Sequence, residues 1–415
     1  MNTLIVAVWS KGAVRVAHVE EAVPEEHYTQ QDRPAGPERR GLEARIRPPH
    51  PTREDRTRRL GEGRLFAYVS RQINRGIWLG DDDVVAMAVG AGGLMVSEDH
   101  AGIVRRLRDR GYQVPVLLDP ACYFLPAGQG EQLSLLDADS LQRCVAVQGE
   151  HQVALYLSPS RYVPVGDTSG LKQVLESGRR FVDLTVASPR RIPAMVALPI
   201  DFRWFGHSML DRLIEAVAET GTPVAVMPGG QMDPLASATT IRGLVVFLEA
   251  VPQKVAVLRT DLAGLGALAY GATATAFGVS TALRHVVPPG KRPFNQPDPT
   301  PRVLIEPLLS WARGSVLEQV ERDEGMLECS CVVCHGQSLR RFGNPRSDLI
   351  REAAIHSVLV WRSIADRLLT APSNRRPGAW TQLCDDALEL HARLRVRAQI
   401  ELKVPDYLSS WTALR

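Results

Sequence analysis

The sequence contains 415 residues, of which 45% are hydrophobic and 23% are charged, and its formal net charge is +3. This composition predicts a packed globular core and excludes a fibrous or wholly disordered chain. No apolar run approaches the roughly 18 residues of a membrane-spanning helix, and six cysteines, only three of them clustered, do not form the pattern of a disulfide framework.

The first 64 residues contain two segments of different character. Residues 1–30 begin with a short apolar stretch, "MNTLIVAVWSKG", which lacks the basic segment and cleavage site of a secretory signal, so we interpret it as a β-strand of a cytoplasmic protein. Residues 31–64 are rich in arginine and proline: from Arg33 to Arg64 there are ten arginines and five prolines against five acids. Such a segment cannot form a core and predicts an extended arm. The arm is either a solvated loop or a phosphate-contacting element, since arginine pairs with phosphate through two parallel hydrogen bonds.

Short apolar runs then alternate with amphipathic stretches as far as residue 287. The runs that predict strands lie within 92–100, 114–119, 194–201, 223–230, 254–261 and 272–280, and the clearest predicted helices are 101–111, 208–221 and 238–251. Apolar strands separated by helices indicate a parallel sheet covered by helices. A TIM-type (β/α)8 barrel fits the length and rhythm better than an open sheet, because no G-x-G-x-x-G or Walker-type phosphate loop is present.

Three of the predicted strands end in an aspartate: Asp119, Asp201 and Asp261. In a barrel the carboxyl ends of the strands converge on the face that carries the active site, so these carboxylates are expected to meet across one pocket. The alternative for each residue is that it caps the next helix or turn.

The remainder of the chain, 288–415, opens with six prolines between Pro288 and Pro301, which mark a loop or subdomain boundary. A cysteine cluster follows, and then an amphipathic helix is predicted at 348–369 and a long helix at 383–403.

The cysteine cluster has the spacing C-x-C-x2-C, formed by Cys329, Cys331 and Cys334. A tetrahedral zinc ion would need a fourth ligand, which His356, twenty-two residues after Cys334 on a predicted helix, can supply. His335 is the rival ligand, but it directly follows Cys334, where binding the same ion is strained. Redox chemistry would require a C-x-x-C at the start of a helix in a thioredoxin-like unit, which is not seen. With all positions filled by protein, the predicted zinc is structural.

These features predict an α/β protein in four parts. An N-terminal strand region (1–30) and a basic Arg/Pro-rich arm (31–64) precede a TIM-type (β/α)8 barrel core (65–287). A zinc-binding and helical C-terminal region (288–415) follows it.

The spacing of the cysteines and the later histidine resembles that of the tRNA-guanine transglycosylase superfamily. Over roughly residues 90–370, further segments are similar to family motifs in the same order. "VLLDPACYF" (116–124) resembles the strand end Asp-Ser-Gly-Gly-Phe, "YLSPSRY" (156–162) the Leu-Ser-Pro-Glu segment, and "ALPIDFRW" (197–204) the strand with the base-recognising aspartate. "VAVMPGG" (224–230) is similar to the Val-Gln-Gly-Gly strand.

The resemblance implies base exchange at a glycosidic bond. In that family one aspartate attacks C1′ of the sugar and expels guanine, which leaves a covalent nucleic-acid–enzyme intermediate, and a second aspartate handles the proton of the incoming 7-deazaguanine. The target nucleotide must leave its stack to reach a barrel mouth.

The sequence also departs from the family pattern. Ala276 stands where the family's nucleophilic aspartate is expected, Pro228 replaces the glutamine before Gly229 and Gly230, and Gln231 is the nearest substitute. The motifs typical of the tRNA enzymes are missing. The divergent branch of 7-deazaguanine DNA transglycosylases, which keeps the barrel and the zinc motif, therefore resembles the chain better.

On this basis we expect an exchange of guanine in DNA for a 7-deazaguanine base such as preQ0. Asp119 is assigned as the proton-handling carboxylate and Asp261 as the nucleophile, although these roles can be exchanged. Asp201 is assigned to the base edge, with Gly229, Gly230 and Gln231 in the base site.

Partners and alternatives follow from the same resemblance. The chain is expected to act as a homodimer or with accessory ATPase subunits. One alternative substrate is tRNA. The other alternative is a non-catalytic, zinc-bearing partner subunit that binds nucleic acid, in which an alanine at position 276 would be natural.

Overall fold

The computed structural model describes residues 6–10, 13–17, 64–70, 72–74, 77–124, 137–186, 192–291, 298–320, 325, 327–397 and 402–414. The predicted arm, 31–64, lies outside these residues except for Arg64. The chain divides into two units, Met1–Gly41 and Leu42–Arg415. In the first, β1 (Val6–Ser10) pairs with β2 (Ala13–Ala17) as an antiparallel hairpin that forms a sheet of its own.

The second unit is built on eight parallel strands. They are β3 (Arg64–Tyr68), β6 (Leu94–Ser97), β7 (Val116–Asp119), β8 (Tyr156–Leu157), β9 (Ala194–Asp201), β10 (Val224–Gly229), β11 (Val255–Thr260) and β12 (Ala274–Gly278). Their order in the sheet is β7-β6-β3-β12-β11-β10-β9-β8. A parallel bridge between Leu117 and Leu155 joins the two edges, so the sheet forms a nearly closed barrel and the predicted TIM-type fold is confirmed.

Alternation along each strand produces two cores. On β11, Ala256 and Leu258 point into the barrel while Val255 and Val257 face the surrounding helices. This two-residue period is that of a pleated strand buried on both faces. The interior is filled by side chains from all eight strand regions, including Phe66 on β3, so it is a packed core rather than a channel.

Most of the helices cover the outer face of the barrel. In chain order they are α1 (Asp81–Ala91), α2 (Gly102–Asp109), α3 (Ala138–Glu150), α4 (Thr168–Val186), α5 (His207–Thr220), α6 (Ala238–Ala250), α7 (Ala263–Ala269), α8 (Gly314–Glu318), α9 (Ser347–Thr370), α10 (Arg376–Arg397) and α11 (Asp406–Thr412). Two short hairpins complete the fold: β4 (Gln72–Asn74) with β5 (Ile77–Trp78), and β13 (Arg302–Ile305) with β14 (Ser310–Arg313).

The helix that follows β12 in the barrel is separated from it by a long insertion. This helix is α9, which packs between α7 and α1 over the seam of β12 and β3. Its Trp361 stacks on Phe277 of β12 with the ring centroids 5.0 Å apart. Hairpin β13–β14, helix α8 and the cysteine cluster all lie in the insertion, on the side where the strands end. The barrel therefore takes its last helix from the region predicted as the C-terminal subdomain.

The predicted strands and helices between 92 and 280 are confirmed, with small differences at their ends. Strands β3 and β8 and helices α1, α3, α4 and α7 were not predicted from the sequence. The long C-terminal helix begins at Arg376, earlier than predicted, because Pro377 is tolerated in a first helical turn. Among the described residues, no helix combines the length and apolarity that a membrane crossing requires.

We predict that the contact of α9 with the barrel is a main source of stability. Trp361→Ala removes a fully buried indole and should lower the free energy of unfolding by about 3–5 kcal/mol in urea titration. Trp78→Ala is the matched control, because that side chain is 57% exposed, and it should change stability by less than about 0.5 kcal/mol. Equal effects of the two substitutions would contradict the packing role of Trp361.

Candidate functional site

Asp119 lies at the carboxyl end of β7 and is completely buried. Its Oδ2 accepts a hydrogen bond from the Tyr68 hydroxyl at 2.9 Å and another from the Tyr123 hydroxyl, and its Oδ1 accepts the backbone N–H of Ala121 at 3.0 Å. A buried carboxylate is tolerated only when donors of this kind replace the lost water. Both phenols are held protonated, since burial, together with Asp119, raises the pKa of Tyr68 and of Tyr123 above their usual range.

Arg259 provides the charge that compensates Asp119. It is fully buried, and its Nη1 lies 4.0 Å from Asp119 Oδ2 and donates to the hydroxyl groups of Tyr123 (2.9 Å) and Tyr68 (3.3 Å). Its Nη2 donates to the backbone oxygens of Ala282 (2.8 Å) and His285 (3.1 Å). Burial opposes the guanidinium charge, but the two phenols and the carboxylate outweigh that effect and raise its pKa. Arg259 therefore ties the interior of the barrel to the loop after β12.

Arg259 reaches this position through an irregular backbone. Its φ is +51°, in the left-handed region that bulky residues rarely adopt, and the pairing of β11 with β12 shifts register between Val257 and Thr260. Such a bulge redirects a side chain, so that both Leu258 and Arg259 face the barrel interior. The strain is offset by the four hydrogen bonds that the guanidinium donates.

A cavity of about 260 Å³ lies beside Arg259. Its wall is formed by Phe124, Arg259, Ala282, Leu283, Val287 and the segment 288–291. Phe124 is 46% exposed and lies over the guanidinium, with Arg259 Cζ 4.9 Å from the ring centroid. Pockets for drug-sized ligands span about 300–1,000 Å³, so this cavity suits a group the size of one nucleobase.

Asp261 lies immediately after β11 in a second polar cluster. Its Oδ1 accepts hydrogen bonds from Trp311 Nε1 and from the Leu262 backbone N–H, both at 2.8 Å. Its Oδ2 lies 3.7 Å from Arg284 Nη1, and 21% of its side chain is exposed. Burial lowers the pKa of Arg284 to about 10, so this residue remains a cation at neutral pH.

Asp119 and Asp261 occupy separate hydrogen-bond networks in the described part of the chain. Each is paired with its own arginine, Arg259 for Asp119 and Arg284 for Asp261. His285 connects the two networks, because its carbonyl accepts from Arg259 and its imidazole lies within the field of both arginines. The structure thus places the two predicted catalytic carboxylates on strands at opposite sides of the barrel, β7 and β11, which are separated by three strands in either direction. They make no direct contact.

Asp201, at the end of β9, is bound by Arg203 of its own loop. Oδ1 accepts from Arg203 Nε at 2.9 Å and Oδ2 accepts from Nη2 at 2.8 Å. Burial alone would raise the pKa of Asp201, but the hydrogen bonds from Arg203 hold it below its usual value. Since the Arg203 side chain is 60% exposed, a ligand that binds Asp201 must displace a solvent-exposed side chain rather than a packed one.

The glycines predicted for the base site end β10. Gly229 lies opposite Asp201 in the sheet register, and a Cβ there would approach Tyr162 Cε2 to 2.5 Å, so no larger residue fits. The N–H of Gly230 donates to the Val286 carbonyl at 2.9 Å, and Gln231 is exposed.

The cysteine cluster and His356 form a metal-binding group, as predicted. The Sγ atoms of Cys329, Cys331 and Cys334 lie 3.5, 3.5 and 3.3 Å from His356 Nδ1, and all four ligand atoms lie within 4.8 Å of one another. His356 Nε2 donates to the carbonyl of Leu304 at 2.9 Å, so Nδ1, which is directed at the sulfurs, is the nitrogen that can bind a metal.

The remaining candidate ligand, His335, is exposed, and its backbone has φ +51° in the tight turn after Cys334. Its N–H closes that turn by donating to the Cys331 carbonyl at 2.9 Å. Arg341 Nη2 lies 3.6 Å from Cys334 Sγ and balances the negative charge of the thiolates.

Sequence reasoning missed five residues of the site: Tyr68, Tyr123, Arg259, Arg284 and Trp311. One signal was present, because Arg259 is a charged residue inside the apolar run "KVAVLRTD". A charge in a buried strand requires a partner, and the strand-end carboxylates were the candidates. Tyr68 and Trp311 come from segments far away in the chain and gave no comparable signal.

No family model and no curated protein matches this chain. The resemblance to the transglycosylases therefore stays a prediction.

We predict that the metal-binding group needs all four ligands. Cys334→Ser should reduce the bound metal from about one ion per chain to a small fraction, because the thiolate is replaced by a weak hydroxyl ligand. His335→Ala should retain the metal, and inductively coupled plasma mass spectrometry of both variants provides the measurement. Loss of metal in the His335 variant alone would reverse the ligand assignment.

A pH dependence is expected from His285. Burial and the two neighbouring arginines lower the pKa of His285 to about 4, against 6.5 in the unfolded chain. Between these values the unfolded state binds more protons, so stability should fall as the pH drops from 6.5 to 4. With allowance for partial exposure, the loss attributable to His285 should be about 1–2 kcal/mol. Denaturation curves of the wild type and of His285→Asn, measured in parallel at each pH, isolate the contribution of His285 to the free energy of unfolding. Identical pH profiles of that free energy in the two proteins would contradict the prediction.

Proposed function

We propose that this protein is a nucleic-acid base-exchange transglycosylase that replaces guanine in DNA with a 7-deazaguanine base. The observation that supports the proposal is Asp119, a buried carboxylate at a strand end, which is held by two phenols and separated by the Arg259 guanidinium from a cavity of nucleobase size. It occurs in an eight-stranded barrel whose insertion contains a Cys3His group. The sequence resemblance supports the same reaction.

The proposed chemistry needs two carboxylates with different surroundings. Asp261 is the better nucleophile because part of its side chain is exposed and can approach C1′ of a flipped nucleotide. Attack by its oxygen breaks the bond between C1′ and N9, and the guanine departs with that electron pair and takes up a proton. Asp119 then accepts the N9 proton of the incoming base, which attacks C1′ and releases Asp261. The proton that the guanine takes up comes from solvent, and Asp119 returns the proton of the incoming base to solvent. The protons therefore balance, and the exchange needs no oxidant or reductant.

Base recognition would use the remaining predicted residues. Asp201 can accept hydrogen bonds from the amino edge of a purine once Arg203 moves away. Gly229, which ends the neighbouring strand β10, and Gly230 after it are the backbone positions proposed to lie near the ring. Phe124 supplies an exposed face for stacking.

Zinc is the metal that we assign to the Cys3His group. With bonds of about 2.3 Å to sulfur and 2.0 Å to nitrogen, a tetrahedral zinc ion holds those ligands about 3.5 Å apart. The observed separations of 3.3–3.5 Å agree with that geometry. Three thiolates and one imidazole leave no open position, so the ion would be structural.

A non-catalytic role has two observations in its favour. Ala276 is completely buried in the barrel interior, and Arg259 separates Asp119 from the cavity. A subunit that only binds nucleic acid would need no accessible carboxylate. The experiment below separates this role from catalysis.

We predict that Asp261→Asn abolishes exchange of labelled guanine into DNA and that Asp119→Asn lowers it at least about 100-fold. Asp211→Asn, on the exposed face of α5, is the control and should retain full activity. Zinc content should be unchanged in all three variants. Full activity of the Asp261 variant would remove this residue from the mechanism, and inactivity of the wild type on both polymers would favour the binding role.

The polymer is identified by a competition. DNA and tRNA are offered together, and the incorporation of labelled guanine into each is counted. We expect label in DNA, whereas label only in tRNA would assign the chain to the alternative substrate.

A further inference from the structure

We propose that the Cys3His metal centre positions the Asp261 carboxylate, and that Trp311 is the positioning residue through which it acts. The two sites lie on different segments, and the β13–β14 hairpin connects them. The catalytic meaning of this connection rests on the proposed function, but the connection itself is tested without it.

The first step runs from the metal ligand to the hairpin. His356 Nε2 donates to the Leu304 carbonyl at 2.9 Å, and the Leu304 N–H donates to Ser357 Oγ at 3.3 Å. Two successive residues of α9 therefore hold both backbone groups of one residue in β13. Because a metal bound at Nδ1 fixes the ring orientation and the tautomer of His356, it also fixes the donor that holds Leu304.

The second step crosses the hairpin. Leu304 pairs directly with Trp311 in the antiparallel register of β13 and β14. The indole of Trp311 leaves this strand towards the barrel, and its Nε1 donates to Asp261 Oδ1 at 2.8 Å. A displacement of β13 would therefore move its partner strand β14, and with it the Trp311 N–H that donates to Asp261.

The third step is the packing that holds the indole in place. Trp311 stacks on Phe277 at 5.7 Å with an interplanar angle of 15°, and Phe277 stacks in turn on Trp361 of α9. On Trp311 also lies Arg284, with Cζ 3.5 Å from the ring centroid, and this arginine is the cation beside Asp261. Trp311 therefore donates a hydrogen bond to Asp261 and also packs against Arg284, the cation beside that carboxylate.

Loss of the metal should release this arrangement. Without the ion, three thiols and an imidazole are left packed together, and His356 is free to exchange tautomers and rotate. The Leu304 contact then weakens and the Trp311 indole leaves Asp261. Strand β9, which is separated from β11 by β10, has no part in this path and should stay ordered.

The test uses ¹⁹F NMR of the full chain labelled with 5-fluorotryptophan. The Trp311 resonance is assigned by its loss in Trp311→Phe, and Trp204, whose Nε1 donates to the Pro164 carbonyl at 2.9 Å, is the internal control. On removal of the metal with a chelator, the Trp311 resonance should shift or broaden while that of Trp204 stays. Asp261→Asn should shift Trp311 in the metal-loaded protein and have no further effect after chelation.

Two results would overturn the proposal. An unchanged Trp311 resonance after metal loss would show that the centre does not reach Asp261. An equal change at Trp204 would show that the metal supports the whole barrel rather than this carboxylate.

A kinetic readout separates positioning from general stability. Trp311→Phe keeps the ring stack and removes only the N–H donor, so it should retain the metal and the Trp204 resonance. Exchange should nevertheless show kcat lowered roughly 10- to 100-fold with little change in KM for the base. An unaltered kcat would overturn the positioning role. If the wild type performs no exchange but the NMR coupling is present, the proposed function fails and the positioning stands.

Discussion

The Cys3His group is the constraint on which the arrangement of the chain after β12 depends. The barrel is interrupted between its last strand, β12, and the helix that should follow it, and the intervening insertion contains the hairpin and the cysteines. His356 belongs to that helix, α9, and lies next to the cysteines of the insertion. A metal bound by these four residues would join the insertion to α9, the helix whose Trp361 stacks on Phe277 of the barrel. Ordering the insertion costs conformational entropy, and the free energy of metal binding at this one site would offset that cost.

The mouth of the barrel shows how carboxylates are held in a dry interior. Asp119 and Asp261 each have an arginine and an aromatic donor, with phenols at Asp119 and an indole at Asp261. Burial disfavours an isolated charge strongly, and paired donors compensate for it. The two environments differ in access to solvent, since Asp119 is sealed and Asp261 is partly exposed. Such a difference is what a reaction needs when one carboxylate attacks and the other moves a proton.

The barrel class and the metal ligands could be predicted because each depends on local patterns. Apolar runs between helices identified most strands, and the cysteine spacing with a helical histidine identified the metal group. Strand β8 was not predicted because it has only two residues. Strand β3 was not predicted because its sequence follows the arginine-rich segment without a break. The residues that bind the aspartates were not predicted for another reason. Arg259 reaches Asp119 only through a backbone bulge with positive φ, and Trp311 reaches Asp261 only once α9 and the hairpin are assembled.

The central claim is that a strand-end carboxylate of this barrel forms a bond to the sugar of a nucleic acid. It is tested most directly by incubating the protein with a guanine-containing DNA strand, denaturing it, and locating the modified peptide by mass spectrometry. The account predicts a nucleotide on the peptide that contains Asp261, or on that of Asp119 if the two roles are exchanged. A nucleotide attached outside the barrel mouth, or no adduct with either DNA or tRNA, would contradict it.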